Sequence, residues 1–262
     1  MNLNLAGKNV VITGGSKGIG LACAHAFAEE GANVALVARN ANTLGEAAAS
    51  LSASGVRVVT HAADLGDSAQ VERMAAAVQA QWGEVHILVN CAGAARRTPP
   101  MLLQSADWRA AMDAKFFPYV NTIGAFLMPM LERKSGAIVN VIGAGGKVAS
   151  PTHLPGGAAN AALMLVTAGL ANAHAASGVR INAVNPGRVL TDRLKQGLAA
   201  EAAMQSVSVE QAQQSMLTGL PIGRIATPKE IASVVVFLSS DQASYVTGVI
   251  MSIDGACNPI VV

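Results

Sequence analysis

The stretch Thr13-Gly14-Gly15-Ser16-Lys17-Gly18-Ile19-Gly20 decides the fold, because a strand-forming run at 8–13 leads into it and a helical pattern at 21–30 follows it. Glycines at a strand-to-helix turn let the backbone approach a pyrophosphate and direct helix N–H groups towards it. The spacing is G-x-x-x-G-x-G, which differs from the G-x-G-x-x-G of the usual dinucleotide fingerprint. We predict a nucleotide phosphate site formed by Gly14, Ser16, Lys17, Gly18, Ile19 and Gly20.

The same stretch allows two other interpretations. Gly14-Gly15-Ser16-Lys17-Gly18 also spells G-x-S-x-G, the nucleophile elbow of α/β-hydrolases. An elbow serine needs strands before it, whereas Ser16 follows the first strand of the chain, and Gly20 has no role in an elbow. A turn with a structural role alone is the other alternative.

Apolar runs of strand length alternate with helical patterns along the whole chain. Strands apolar on both faces, each followed by a helix, indicate a parallel sheet covered on both sides. We therefore predict a single α/β domain, 1–262, built as a doubly wound, Rossmann-like parallel sheet of seven strands with helices on both faces. The predicted strands are 8–13, 34–38, 56–62, 87–89, 137–142, 180–184 and 249–253, and the predicted helices are 21–30, 42–52, 68–82, 108–133, 158–177 and 228–238.

Segment 192–220 departs from this pattern, since it holds alternating polar and small residues and no strand. We expect it to be a substrate lid, with a surface helical insertion as the alternative.

Composition excludes several classes of protein. Charged residues make up only 13% of the chain and the net charge is +2, with lysines and arginines scattered, so no nucleic-acid partner is expected. The apolar stretch 158–173 is interrupted by Asn160 and Thr167 and is shorter than the roughly 20 residues of a membrane span, so we expect a buried helix and no membrane. The three cysteines are far apart, and no metal site is expected. We predict a cytoplasmic protein that buries part of its surface between subunits.

The residue after the second strand indicates which dinucleotide is bound. An acidic residue at that point would bind the ribose hydroxyls of NAD, but this chain has Arg39, and Lys17 adds a second cation in the turn. Two cations favour a ribose 2′-phosphate, so NADP(H) is predicted in preference to NAD(H). A solvated Arg39 is the alternative.

Beyond the glycine turn, the chain resembles the short-chain dehydrogenases/reductases over nearly its whole length. Asn90-Cys91-Ala92-Gly93 stands where that family has N-N-A-G, and 185–191 resembles its P-G-x-V-x-T motif. The resemblance implies hydride transfer between a nicotinamide cofactor and a small carbonyl or alcohol substrate. It also implies a homotetramer or dimer joined through the long helices and the last strand. Further cofactor contacts implied by it are Asp64, Leu65, Asn90, Gly93, Pro186, Gly187, Val189 and Thr191.

The family's Ser, Tyr and Lys are missing from the corresponding positions, where this chain has Gly143, Gly156 and Asn160. In the family, the lysine lowers the pKa of the tyrosine, which exchanges a proton with the substrate oxygen. Neither Tyr119 nor Tyr245 has a lysine four residues further along, so we expect both to be packing residues.

Three residues are the candidates for chemistry in place of the missing set. Lys115 aligns with the family's supporting asparagine, so lysine and asparagine are exchanged between this position and Asn160. We expect Lys115 to supply the charge near the nicotinamide ribose and Asn160 to support it, the alternative being a lysine that reaches solvent. His153, three residues before Gly156, is a candidate acid, the alternative being a solvated loop histidine.

The leading prediction is an NADP(H)-dependent oxidoreductase with a non-standard active site. The alternative is a catalytically silent NADP(H)-binding scaffold or redox sensor. Basic residues border the mouth of the site and are candidates for binding an anionic substrate, although they are also compatible with a solvated surface; they are Arg96, Arg97, Lys147 and Arg188.

Overall fold

The computed structural model describes residues 2–260, apart from the side chains at positions 196 and 200. These residues form one seven-stranded sheet in the order β3-β2-β1-β4-β5-β6-β7, with every neighbouring pair parallel. The doubly wound parallel fold is confirmed. The strands are β1 (Asn9–Thr13), β2 (Asn33–Ala38), β3 (Val58–Ala62), β4 (Ile87–Asn90), β5 (Gly136–Val141), β6 (Val179–Pro186) and β7 (Ile250–Ile253).

Helices cover both faces of the sheet, because alternate strand residues point to opposite sides. Val10 and Ile12 face one apolar cluster, while Val11 faces the other. The absence of large aromatics from most of these contacts leaves Ala, Val, Ile, Leu and Met to fill the core. In the described residues the helices are α1 (Gly18–Glu29), α2 (Ala41–Ser50), α3 (Ser68–Trp82), α4 (Ser105–Ala111), α5 (Phe117–Arg133), α6 (Leu154–His174), α7 (Asp192–Gln205), α8 (Val209–Thr218) and α9 (Pro228–Ser239).

Two helix predictions need correction. The predicted helix 108–133 is divided into α4, a π-helical turn over Met112–Phe116, and α5. The predicted helix 158–177 begins four residues earlier, at Leu154, because Pro155 occupies the first turn, where its missing N–H has no cost. Segment 192–220 forms α7 and α8 without a strand, and the two helices share a small apolar cluster.

A buried chain of side-chain hydrogen bonds joins the carboxyl ends of the central strands to two helices. The Asn90 amide donates to Asn140 Oδ1 at 3.0 Å, and the Asn140 amide donates to Thr167 Oγ1 on α6, also at 3.0 Å. The Thr122 hydroxyl on α5 donates to Asn90 Oδ1 at 2.7 Å. Because all four side chains are fully buried, these bonds fix the height of α5 and α6 relative to the strand ends.

One helical segment of the described residues, Pro151–Ser177, is long and apolar enough to cross a membrane. It contains α6, which buries a stripe including Ala159, Leu163 and Ala171 in the core. A core helix passes the same criteria of length and composition, so the predicted absence of a membrane partner stays a prediction.

Candidate active site

The glycine turn between β1 and α1 has the geometry of a phosphate cradle. Gly14 and Gly18 adopt φ values of +66° and +57°, which side chains rarely adopt. A methyl group at Gly20 would overlap the Gly14 carbonyl, so the helix starts in backbone contact with the turn. Lys17, the N-cap of α1, makes no side-chain hydrogen bond to the first turn of the helix. A lysine side chain has no acceptor to offer the first amides of α1, and a helix start with such amides after a glycine turn fits a bound pyrophosphate.

The other predicted cofactor residues lie around this turn at the carboxyl edge of the sheet. Arg39 is exposed just after β2, while Leu65 is buried after β3 beside the exposed Asp64. Thr191 caps α7 and lies against the turn, since a methyl group at Gly18 would be 3.5 Å from Thr191 Cγ2. The remaining residues of the set lie at or after the ends of β4 and β6; they are Asn90, Gly93, Pro186, Gly187 and Val189.

Gly93 allows the loop after β4 to approach the π-helical turn closely. Its φ is +96°, and a methyl group there would collide with the Ala114 carbonyl and lie 3.2 Å from Lys115 Cα. This approach places Lys115 at the edge of the predicted nicotinamide site. π-helical turns inside helices are frequent at functional sites.

Lys115 is almost completely buried, with 7% of its surface exposed. Its ammonium donates to the Tyr119 hydroxyl at 2.6 Å and to the Val141 carbonyl at 3.1 Å, and it lies 4.3 Å from the centre of the Tyr119 ring. The Tyr119 hydroxyl donates to the same Val141 carbonyl at 2.6 Å. Burial lowers the pKa of Lys115 to about 7. The alternative of a lysine that reaches solvent is wrong.

Sequence reasoning missed the Lys115–Tyr119 pair because it searched for a lysine four residues after each tyrosine, whereas here the lysine comes four residues before. Residues at i and i+4 share a helix face in either order, so the signal was present. Tyr119 is fully buried, which confirms that it is a packing residue. Tyr245 is fully exposed, so the prediction that it packs is wrong for the isolated chain.

The turn after β5 and the start of α6 meet through glycines. A methyl group at Gly146 would lie 2.7 Å from the Ala161 amide nitrogen, and one at Gly157 would lie 2.7 Å from the Gly145 carbonyl oxygen. A methyl group at Gly143 would be 3.2 Å from Asn160 Nδ2. This backbone contact directs the Asn160 amide towards Gly143. In the described residues that amide forms no hydrogen bond with Lys115.

The imidazole of His153 occupies the space above Gly156. A methyl group at Gly156 would overlap His153 Cε1 and Nε2 and would lie 2.9 Å from Ala95 Cβ. No larger side chain fits at position 156 unless the imidazole moves. His153, three residues before Gly156, and Asn160, four residues after it, thus both approach the turn that follows β5.

His153 is half-buried, and its Nδ1 is buried with no hydrogen-bond partner among the described residues. Burial, the largest cause, and the positive charges of Arg193, Arg97 and Lys115 together lower the pKa of His153 to about 4. The imidazole is therefore neutral at pH 7. A fully solvated loop histidine, the alternative from the sequence, does not match this position.

Two other chemical possibilities find no support in the described residues. Ser16 forms no hydrogen bond with a histidine there, as a hydrolase triad would require. Burial raises the pKa of the Cys91 thiol to about 11, so it does not supply a thiolate near neutral pH. Within the same residues, no group of three or more potential metal ligands occurs.

The fold and the glycine turn define a nucleotide-binding α/β protein, and comparison with known proteins gives its family. A family model described as short chain dehydrogenase matches residues 8–202. The chain therefore belongs to the short-chain dehydrogenase family.

Relatives in this family are similar along their full length. The chain is 33% identical over 256 residues to the 3-oxoacyl-[acyl-carrier-protein] reductase FabG of Chlamydia muridarum, covering 97% of this chain and 99% of the relative. It is 35% identical over 266 residues to 2-(S)-hydroxypropyl-CoM dehydrogenase 3 of Xanthobacter autotrophicus, covering 99% and 100%. Among solved structures, L-sorbose reductase from Gluconobacter frateurii, complexed with NADPH and L-sorbose, has a TM-score of 0.93 at 32% identity and covers 100% of both chains.

Burial of Lys115 predicts a specific dependence of stability on pH. Between about pH 7 and 10 the unfolded chain holds a proton on this lysine that the folded chain lacks, so the free energy of unfolding rises with pH by up to about 1.4 kcal/mol per unit through this group. Lys115→Met removes that contribution. The free energy of unfolding of this variant, measured by urea unfolding at one protein concentration, should exceed that of the wild type. The difference should grow as the pH falls from 10 to 7 and stay constant below pH 7.

The matched control is Lys229→Met, which replaces an exposed lysine on α9. Its difference from the wild type should not change over the same pH range. A constant difference for Lys115→Met as well would show that Lys115 keeps its proton in the folded protein.

Proposed function

We propose that this protein is an NADP(H)-dependent oxidoreductase that transfers hydride between the nicotinamide and a small carbonyl or alcohol substrate, with His153 in the role that the family gives to tyrosine. The observation that carries the proposal is the imidazole of His153 above Gly156, in the volume that a side chain at position 156 would enter. Gly143, Gly156 and Asn160 at the positions of the family's Ser, Tyr and Lys support a non-standard active site.

The cofactor, when bound, supplies or accepts the hydride at the substrate carbon. His153 moves the proton that balances it: the neutral imidazole takes the hydroxyl proton during alcohol oxidation, and the imidazolium gives it to the carbonyl oxygen during reduction. Its pKa of about 4 in the free protein favours the base role at neutral pH. The Asn160 amide, beside Gly143, is the donor placed to orient the substrate oxygen.

Lys115 contributes by its position rather than by proton transfer to substrate. Its ammonium is held by Tyr119 and the Val141 carbonyl at the carboxyl end of β5. With a pKa of about 7, it becomes more fully charged when an anionic group approaches. We assign it to the nicotinamide ribose side of the site, with Asn160 on the substrate side.

NADP(H) preference rests on Arg39 and Lys17, which are both exposed and form no ion pair with the described residues. Solved relatives such as the L-sorbose reductase were determined with NADPH. The 2′-phosphate is the group that a cation after β2, Arg39, and a cation in the glycine turn, Lys17, would bind.

Arg39→Ala should weaken NADPH binding about 10- to 100-fold, because charge-assisted hydrogen bonds contribute about 1.5–3 kcal/mol. NADH binding should change little, since NADH lacks the 2′-phosphate. Titration followed by nicotinamide fluorescence measures both affinities. The control is Arg57→Ala, which replaces an exposed arginine just before β3, at the amino ends of the strands and so away from the predicted cofactor site. Equal loss for both cofactors would contradict a role in 2′-phosphate recognition.

His153→Gln should lower kcat by about 10²- to 10⁴-fold, the usual contribution of general acid–base catalysis, while leaving NADPH affinity unchanged. In the wild type, kcat/KM for carbonyl reduction should fall up to tenfold per pH unit between pH 5 and 8, because the acid form declines above its pKa of about 4. This slope should disappear in His153→Gln.

The control is His174→Gln at the opposite end of α6, which should match the wild type. Unchanged turnover in His153→Gln would remove the histidine from the mechanism. Tight NADPH binding by the wild type without turnover on any carbonyl or alcohol of a broad panel would instead favour a catalytically silent scaffold or redox sensor.

We also infer that segment 192–220 is the substrate lid. α7 starts beside the glycine turn at Thr191, and the apolar cluster of α7 and α8 contains Leu198, Ala202, Ala212 and Met216, so the two helices can move as a unit. Amide hydrogen exchange in 192–220 should slow when NADPH and substrate bind, while exchange in α3 stays constant. An unchanged rate in both would indicate a surface insertion.

Assembly into a homo-oligomer is supported by exposed apolar side chains on the long helices. Leu165 on α6 is 76% exposed, and Met128 and Phe117 on α5 are exposed as well. Burial of these faces between copies of the chain would also account for the low content of charged residues. Light scattering distinguishes a dimer or tetramer from a monomer. A cytoplasmic location is consistent with the composition and remains a proposal.

A further inference from the structure

Arg97 and the next residue, Thr98, each form one hydrogen bond to Thr152. The Arg97 guanidinium donates from Nη1 to Thr152 Oγ1 at 3.1 Å, and the Thr98 amide donates to the Thr152 carbonyl at 3.0 Å. Thr152 immediately precedes His153. These two hydrogen bonds connect the loop after β4 to the turn before α6, and Arg97 lies at this connection.

Arg193 reaches the same loop from the opposite side. It lies in the first turn of α7, and its Nη1 donates to the Gly93 carbonyl at 3.4 Å. One turn further, a methyl group at Gly197 would be only 3.9 Å from Arg97 Nε. Residues at i and i+4 share a helix face, so this face of α7 covers the loop and brings Arg193 to the side of Arg97.

The two guanidinium groups have no counter-charge among the described residues. The ion pairs found there involve neither arginine, and the third cation of the group, Lys115, lies beneath them beside a tyrosine and a carbonyl. Both arginines are exposed, and like charges held close together attract anions. By contrast, Lys147 points away, because its ammonium donates to the Ile250 carbonyl at 3.0 Å.

We propose that Arg97 and Arg193 form an anion-binding subsite beside His153, and that the substrate therefore carries a carboxylate close to its reacting carbonyl or alcohol carbon. This inference rests on the proposed function, since it names the substrate class of the same site. An oxo acid placed with its carboxylate between the two guanidinium groups brings its carbonyl towards the imidazole and the Asn160 amide.

The subsite also determines when the histidine can act as an acid. Arg193 and Arg97 are two of the three charges that lower the pKa of His153, from the first turn of α7 and the loop after β4; Lys115, in the π-helical turn, is the third. A bound carboxylate neutralises part of this charge, so the pKa of the imidazole rises in the complex and the acid form becomes populated. Neutral carbonyl compounds leave the arginines unpaired and the imidazole deprotonated. Selection for an anionic substrate thus acts on proton transfer as well as on binding.

The test compares oxo acids with their methyl esters, which keep the carbonyl and lose the charge. Pyruvate, acetoacetate and levulinate place the carboxylate at increasing distance from the carbonyl. For at least one pair, kcat/KM of the wild type should favour the acid about tenfold or more, consistent with one charge-assisted hydrogen bond. The double variant Arg97→Gln/Arg193→Gln should lose this preference, whereas Arg73→Gln, which replaces an exposed arginine on α3, should retain it.

Binding gives a readout independent of turnover. Calorimetric titration of the preferred acid into NADPH-loaded His153→Gln should show binding that the two arginine substitutions weaken by about tenfold or more. NADPH affinity should be nearly the same with and without these substitutions. A loss of NADPH affinity together with an unchanged acid preference would assign the arginines to the cofactor phosphates and overturn the proposal.

Other outcomes separate this proposal from the proposed function. Equal turnover of acids and esters by the wild type would leave the oxidoreductase in place and overturn the subsite. No turnover, with acid binding that still depends on the arginines, would reject the proposed function and support the anion site. No turnover and no binding of any of the three acids would reject both.

Discussion

The arrangement of the site depends on the buried hydrogen bonds that connect Thr122, Asn90, Asn140 and Thr167. A fully buried amide is expensive to leave without partners, so these bonds allow one register between the strand ends and the helices. Lys115 precedes Thr122 by seven residues and Asn160 precedes Thr167 by seven, in each case about two helical turns. The bonds that anchor α5 and α6 therefore also turn Lys115 and Asn160 towards the carboxyl edge of the sheet.

Burial of Lys115 works against stability. Its ammonium has a tyrosine hydroxyl and a carbonyl as partners and no carboxylate, so the desolvation of the charge is only partly offset. The lysine is held in this buried position because Gly93 allows the loop after β4 to pack directly against the π-helical turn that contains Lys115. An unpaired, buried cation at the mouth of a nucleotide site is typical of a group that is used by a ligand.

Much of the fold could be predicted from the sequence. Runs such as 8–13 and 137–142 are apolar on both faces, a pattern that only a sheet covered on both sides satisfies, and the glycine turn located the first strand-to-helix junction. No local pattern indicates the π-helical turn or its close contact with Gly93, which is distant in sequence and approaches the Ala114 carbonyl. The same limit applies to His153: its place above Gly156 depends on a loop conformation, and no local pattern encodes it. The Lys115–Tyr119 pair could be predicted from its spacing of four residues. In this pair the lysine comes before the tyrosine, whereas in the family's motif it comes after.

Charge is scarce in this chain, and its placement is therefore informative. Of the few ionisable groups, Lys115, Arg97 and Arg193 lie close enough to His153 to lower its pKa, and no acidic residue pairs with any of the four in the described part of the chain. A tyrosine acid in the usual family arrangement needs a neighbouring cation, because the cation stabilises the phenolate. The same cation lowers the pKa of an imidazolium, since both carry positive charge, so less of a histidine is in its acid form at neutral pH. If a histidine takes the place of the tyrosine here, as we propose, its acid form needs negative charge that enters with the ligands, and the cofactor phosphates and an acidic substrate are two sources of that charge.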